Sequence, residues 1–98
     1  MDTQSLTQAI HEKLQTVMDP ETSADVLRMR LVQNLNVDED GMVSYIFQPS
    51  SPLCPIAVTL AMNIIEAIKE VPGVSGQDIQ VTGYLYADEL NETLKSVL

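Results

Sequence analysis

Leu31-Val32-Gln33-Asn34-Leu35-Asn36-Val37-Asp38-Glu39-Asp40-Gly41-Met42-Val43-Ser44-Tyr45-Ile46-Phe47-Gln48 decides the fold of this chain. Two β-prone runs, residues 31–37 and 42–48, flank an acidic turn whose glycine can take a positive φ, which is the pattern of a β-hairpin. In the second run Val43, Tyr45 and Phe47 alternate with Ser44 and Gln48, so one face of the hairpin is expected to be buried.

Downstream, Ala57, Leu60, Ala61, Ile64, Ile65 and Ile68 repeat at helical spacing, predicting a helix from Pro55 to Glu70 that Pro72-Gly73 terminates. Ile79 to Leu85 reads as a third strand. A helix joining strands two and three acts as a crossover and sets those strands parallel, with right-handed connection. Upstream, Leu6, Ala9, Ile10, Leu14 and Val17 mark an amphipathic helix over residues 5–17, with Ser5 and Gln8 in the form of a capping box. Asp19-Pro20 stops it, leaving Met18 to Asp25 as a loop, and from Val26 the pattern turns β-like. Asp88 is placed to cap a last helix carrying Leu90, Leu94 and Val97. The expected class is α+β: a two-layer α-β-β-α-β-α arrangement in which helices cover one side of a small mixed sheet, with residues 1–98 forming one domain.

Composition narrows the function. Of 98 residues 45% are hydrophobic, enough for a core without a metal or disulfide staple. Fourteen Asp and Glu against five Lys and Arg give a formal charge of -9, a field that repels nucleic acid and anionic lipid. The sequence has no apolar run of about 18 residues and no basic stretch leading an apolar one, so neither a membrane span nor a signal peptide is expected. One cysteine forms no intrachain disulfide and suits a reducing compartment, which points to the cytoplasm.

Chemistry concentrates at two places. Cys54 precedes Pro55, a residue suited to the first position of a helix, which puts the sulfur at the positive end of the helix dipole and favours the thiolate. The alternative is that Cys54 is a small buried hydrophobe. Asp19 and Glu21 flank Pro20 on a short rigid turn, where their carboxylates suit a hard cation or the capping of backbone amides. The single histidine, His11, falls off the apolar stripe of its helix and is expected to be exposed. With no nucleophile, base and acid to assemble, no phosphate-binding glycine loop and no CxxC pair, the chain is not expected to be an enzyme.

Four motifs in order, Val17-Met18-Asp19-Pro20-Glu21, the hairpin entered from Leu27, Ser51-Pro52-Leu53-Cys54-Pro55 opening a helix, and Val71-Pro72-Gly73-Val74 before a strand, resemble the SufT and PaaD-like family of iron-sulfur cluster assembly factors. The resemblance spans roughly residues 6 to 84. It implies a non-enzymatic role in cluster assembly or delivery, with Cys54 as the reactive cysteine and a metal ligand completed from another chain, and Asp19 and Glu21 beside it. It further implies a transient iron-sulfur cluster or iron as cargo, none of it held stably by the monomer. The partners implied are assembly proteins or client apoproteins, and a homodimer. Within the same resemblance stand an accessory subunit of a multicomponent oxygenase, as in the PaaD branch, and a divergent protein-interaction domain. Two departures are visible: Arg30-Leu31-Val32 replaces the family's usual Gly-Leu-Val, and Thr22-Ser23-Ala24 replaces an apolar, often proline-containing stretch.

Overall fold

The computed structural model describes residues 3–18, 23–49, 53 and 56–97. The hairpin forms where the alternation placed it. β1 (Val32–Val37) runs antiparallel to β2 (Met42–Phe47). The Asp38 carboxylate Oδ1 accepts from the Asp40 and Met42 amides, each at 2.9 Å, and Gly41 adopts φ 85. That glycine is required twice over, because a Cβ there would also lie 2.3 Å from the Gly73 carbonyl oxygen.

An irregularity in β1 settles which side chains face inward. Val32 and Val37 are both buried although five residues apart, a spacing that would put them on opposite faces of a regular strand. Between Gln33 and Asn36 the register slips, three steps along β1 matching two along β2 from Ile46 to Ser44. This β-bulge is built on Asn34 at φ 54, a left-handed conformation that asparagine tolerates better than most residues.

α2 (Ala57–Lys69) crosses from β2 to β3 (Gly76–Val81), which pairs parallel with β2 along six residues, Met42 with Gly76 through Phe47 with Val81. The strand order is β1-β2-β3. Val43, Tyr45, Phe47, Gln77, Ile79 and Val81 are buried, and α2 contributes Leu60, Ala61, Ile64, Ile65 and Ile68 to the same core. The opposite sheet face carries Ser44, Asp78 and Gln80. α1 (Thr3–Leu14) packs on α2 and β1 through Leu6, Ile10 and Leu14, and Lys13 meets Glu70 at 2.6 Å. α3 (Ala87–Val97) packs on β3, burying Leu90 and Leu94. The Asn91 side chain accepts from the Val81 amide at 2.8 Å and donates to the Val81 carbonyl at 3.2 Å, pairing with the edge strand as another strand would.

The α+β expectation is borne out, with corrections in detail. The third strand lies at 76–81, not 79–85, because Gly83 at φ 65 turns the chain against Gln48 and residues after Val81 lead into α3. α1 starts at Thr3, so Ser5 sits inside the helix and not at its cap; the helix ends at Leu14, before the expected Val17. Asp88 falls in the first turn of α3, not at its cap. Residues 26–30 form turns where a β pattern was expected, since Asp25 Oδ1 accepts from the Arg28 amide and the Asp25 carbonyl from the Met29 amide, coiling the chain.

Candidate functional site

The residues that the sequence singled out, Asp19, Glu21 and Cys54, lie outside the described residues, as do Pro20 and Pro55. What the structure supplies is the frame on either side of them. Met18 and Asp25 form an isolated antiparallel bridge, and the Val26 amide donates to the Val17 carbonyl at 3.0 Å. The ends of the Asp-Pro-Glu segment are thus clamped together, with Ser23 at φ 60 on its exit.

The exit continues into a tight coil. The Arg30 amide donates to the Leu27 carbonyl at 3.0 Å and the Leu31 amide to the Val26 carbonyl at 2.9 Å. Arg30 itself holds φ 59, so the position where the resembled family usually carries glycine is one whose backbone conformation glycine suits. Gln33 Nε2 donates to the Arg30 carbonyl at 2.9 Å and fixes it there. The Gln48 amide then donates to the Leu31 carbonyl at 2.8 Å. Gln48 is the first residue after β2, where the proline-rich connector to α2 begins. The clamp around the Asp19–Glu21 segment is therefore joined, through Leu31, to the start of the Cys54 segment at one end of the sheet.

The other side of the Cys54 segment is the start of α2. Its cap is Ile56, at φ -108 and ψ 12, whose own side chain makes no capping hydrogen bond, and the first turn has no acidic residue. The helix begins two residues later than the expected Pro55, so Pro55 precedes the cap. Amides at such a terminus carry the positive end of the helix dipole and attract anionic groups nearby. This is the end of the parallel pair where strands β2 and β3 finish, the position at which open α/β sheets place their sites.

Elsewhere the described residues offer little chemistry. Among them no three His, Cys, Asp or Glu side chains gather as a metal site. His11 is exposed, as expected. A cavity of about 360 Å³ opens at the far end of α2, lined by Met42, Lys69, Val74, Ser75, Gly76 and Gln77, and it holds none of the candidate residues. No helix among the described residues is long and apolar enough to cross a membrane.

Comparison with known proteins adds what the geometry does not name. The family model described as iron-sulfur cluster assembly protein matches residues 7–81, from α1 to the end of β3. The chain belongs to that family. An uncharacterized protein of Methanocaldococcus jannaschii is 32% identical over 82 residues, covering 84% of this chain and 86% of the relative. A Porphyromonas gingivalis protein named Fe-S protein maturation auxiliary factor is 31% identical over 83 residues, covering 85% and 76%. The crystal structure of a domain of unknown function, DUF59, from Bacillus anthracis superposes with a TM-score of 0.74 at 22% identity, over 82% of this chain and 76% of that one, which supports the fold. The motif resemblance in the sequence and the family match agree.

Proposed function

We propose that this protein is a non-enzymatic factor that assists iron-sulfur cluster assembly or delivery to client proteins in the cytoplasm. The observation that carries the reading is the family match across residues 7–81, together with a relative named as an Fe-S protein maturation auxiliary factor. The start of α2, whose cap lies two residues after Cys54, is consistent with it, since the positive end of a helix favours a nearby thiolate. In this reading Cys54 is a ligand or thiol contact for the cargo, and Asp19 and Glu21 shape its surroundings. Iron-sulfur clusters are ordinarily held by four thiolates, so a second copy, a partner protein or a small thiol completes the set.

The experiment is anaerobic incubation with iron, sulfide and a small thiol, followed by transfer to an apo-ferredoxin monitored by circular dichroism. Wild-type protein is expected to acquire cluster absorption and pass it on, and Cys54→Ser to do neither. Transfer at the wild-type rate by Cys54→Ser removes the assigned role. Alkylation rate against pH reads the thiol directly: its midpoint is expected below the ~8.5 of a free cysteine, and lower still in Asp19→Asn with Glu21→Gln, because two negative charges are removed. A thiol that reacts only when the protein unfolds argues for a buried core cysteine.

A further inference from the structure

A groove of about 420 Å³ runs between β3 and α3, walled by Asp78 and Ile79 of the strand and by Asp88, Asn91, Glu92 and Lys95 of the helix. The four helix residues stand at i, i+3, i+4 and i+7 and so share one face. Asp78 is exposed on the open side of the sheet. The Ile79 side chain is buried in the core, so what Ile79 gives the groove is its backbone.

That backbone has hydrogen-bonding groups to spare. The Thr82 amide donates to the Phe47 carbonyl at 3.0 Å, and the main-chain groups of successive residues in a strand point to alternate sides. Gln80 and Asp78 therefore also face β2, while Val81 and Ile79 face outward. Asn91 takes both outward groups of Val81. Among the described residues nothing outside the sheet bonds to the amide and carbonyl of Ile79, the next pair along the same edge. An edge of this kind accepts an added strand, whose main chain supplies affinity and whose alternate side chains supply selectivity.

The walls select the occupant by charge. They carry the carboxylates of Asp78, Asp88 and Glu92 against the ammonium of Lys95, and Glu89 stands beside them in the first turn of α3. Lys95 is engaged with Glu92 at 3.7 Å, and Asp78 and Asp88 have no ion pair among the described residues. The other cations lie elsewhere. Lys13 pairs with Glu70, and Lys69 lines the separate cavity at the start of β3. Arg28 and Arg30 precede β1, two strand spacings or about 9–10 Å from β3, which exceeds the screening length of about 8 Å at physiological salt.

The carboxylates are spread along the groove and do not gather as a metal site, so they fit a row of cations and not a single ion. A second copy of this chain does not supply that row. It brings the same formal charge of -9, and its Arg28 and Arg30 sit in a coil whose amides are already bonded to Asp25 and Leu27.

We propose that the groove between β3 and α3 docks an extended basic segment of a partner protein, which pairs through its backbone with Ile79 and sets lysine or arginine side chains against Asp78 and Asp88. Such docking goes beyond the assembly-factor reading and uses none of its site residues. The helical wall, residues 87–97, also lies past the residues 7–81 that the family model matches.

The test is titration of the ¹⁵N-labelled full chain with a short synthetic peptide alternating lysine and valine. Saturable shifts are expected at residues 78–81, 88 and 91–95, with affinity falling as salt is raised. Asp78→Asn with Asp88→Asn should weaken binding about tenfold at low salt. Both side chains are exposed, so the fold is retained. Lys95→Gln removes the groove's own cation and should tighten binding about twofold or more, a gain that unfolding does not produce. N-methylation of either the lysine or the valine amides, whichever set faces β3, should weaken binding severalfold, and N-methylation of the other set should not. No saturable shift at millimolar peptide, shifts confined to another face, indifference to both N-methylations, or equal binding of a glutamate-for-lysine peptide or of spermidine would overturn the proposal. So would movement of the same signals with protein concentration alone, which would assign the groove to a second copy of this chain.

Discussion

The Tyr45 hydroxyl donates to Gln77 Oε1 at 2.8 Å inside the core, and the Gln77 amide passes the connection on, Nε2 donating to the Ile65 carbonyl of α2 at 3.0 Å. Gln77 is the buried polar residue of the described core, 8% exposed, and it has a partner at each end of its amide. Tyr45 and Gln77 sit on neighbouring parallel strands two residues out of register, so the chain Tyr45-Gln77-Ile65 fastens the crossover helix to both strands it connects.

Tyr45→Phe removes the donor and leaves the Gln77 oxygen buried without a partner, at a cost of about 1–3 kcal/mol. Gln77→Leu should cost a similar amount by orphaning the phenol. The double variant should lose less than the sum, because both partners are then apolar. Urea unfolding of the four proteins measures the coupling; strictly additive losses would show that the two groups act independently.

Burial raises the Tyr45 phenol above its ordinary value near 10. The unfolded chain therefore releases this proton at a pH where the folded chain retains it, and stability contributed by the neutral phenol is complete below about pH 10 and lost progressively above it. Wild-type stability should fall as pH rises past about 10 with a component absent from Tyr45→Phe. Urea midpoints from pH 8 to 11 check the sign.

Arg30 at φ 59 bears the strain of a left-handed side-chain-bearing residue, about 1–2 kcal/mol, against glycine's entropic disadvantage of roughly 0.5–1 kcal/mol. Arg30→Gly should raise stability by about 0.5–1 kcal/mol and Arg30→Val should lower it. Equal effects of the two would show that this backbone conformation is not sensed.

Gly41→Ala should destabilise by about 2–4 kcal/mol, combining the left-handed φ of 85 with a Cβ 2.3 Å from the Gly73 oxygen. Calorimetric melting at matched protein concentration gives the loss.

Asn91→Ala deletes both bonds to Val81 and uncovers part of the β3 edge, costing about 1–2 kcal/mol. Its distinctive signature should be concentration-dependent association by light scattering, since an unpaired edge recruits strands. A destabilised variant that stays monomeric would limit Asn91 to a purely local role.

Much of this architecture was legible because periodicity reports burial directly. The hairpin, its acidic turn and the apolar face of α2 follow from alternation and helical spacing in residues 31–48 and 57–68. The third strand was misplaced because Thr82, Tyr84 and Leu85 have strand-forming side chains, while the glycine between them takes a conformation that bends the chain away. Nothing in the pattern announced the Asn34 bulge or the pairing of Asn91 with Val81, which depend on tertiary neighbours. Arg30 was visible in the sequence as a departure from glycine, but its left-handed backbone and the Gln33 bond that holds it came only from the structure. For Asp19, Glu21 and Cys54 the sequence remains the main source, with the structure adding the clamps at either side.

The central position of β2 has a consequence for the order of folding. Its antiparallel neighbour is four residues away along the chain, while its parallel neighbour returns only after twenty-eight, a difference in loop-closure cost of roughly 1.7 kcal/mol. The hairpin can close early, but one side of its second strand must wait for the whole crossover to be made. During synthesis that waiting edge, bearing Tyr45 and Phe47, is open to neighbouring chains. A chain cut after Ser75 should therefore aggregate in proportion to its concentration, and restoring residues 76–97, which add β3 and the helix that covers part of its edge, should abolish this, so that completion of the sheet protects the nascent protein.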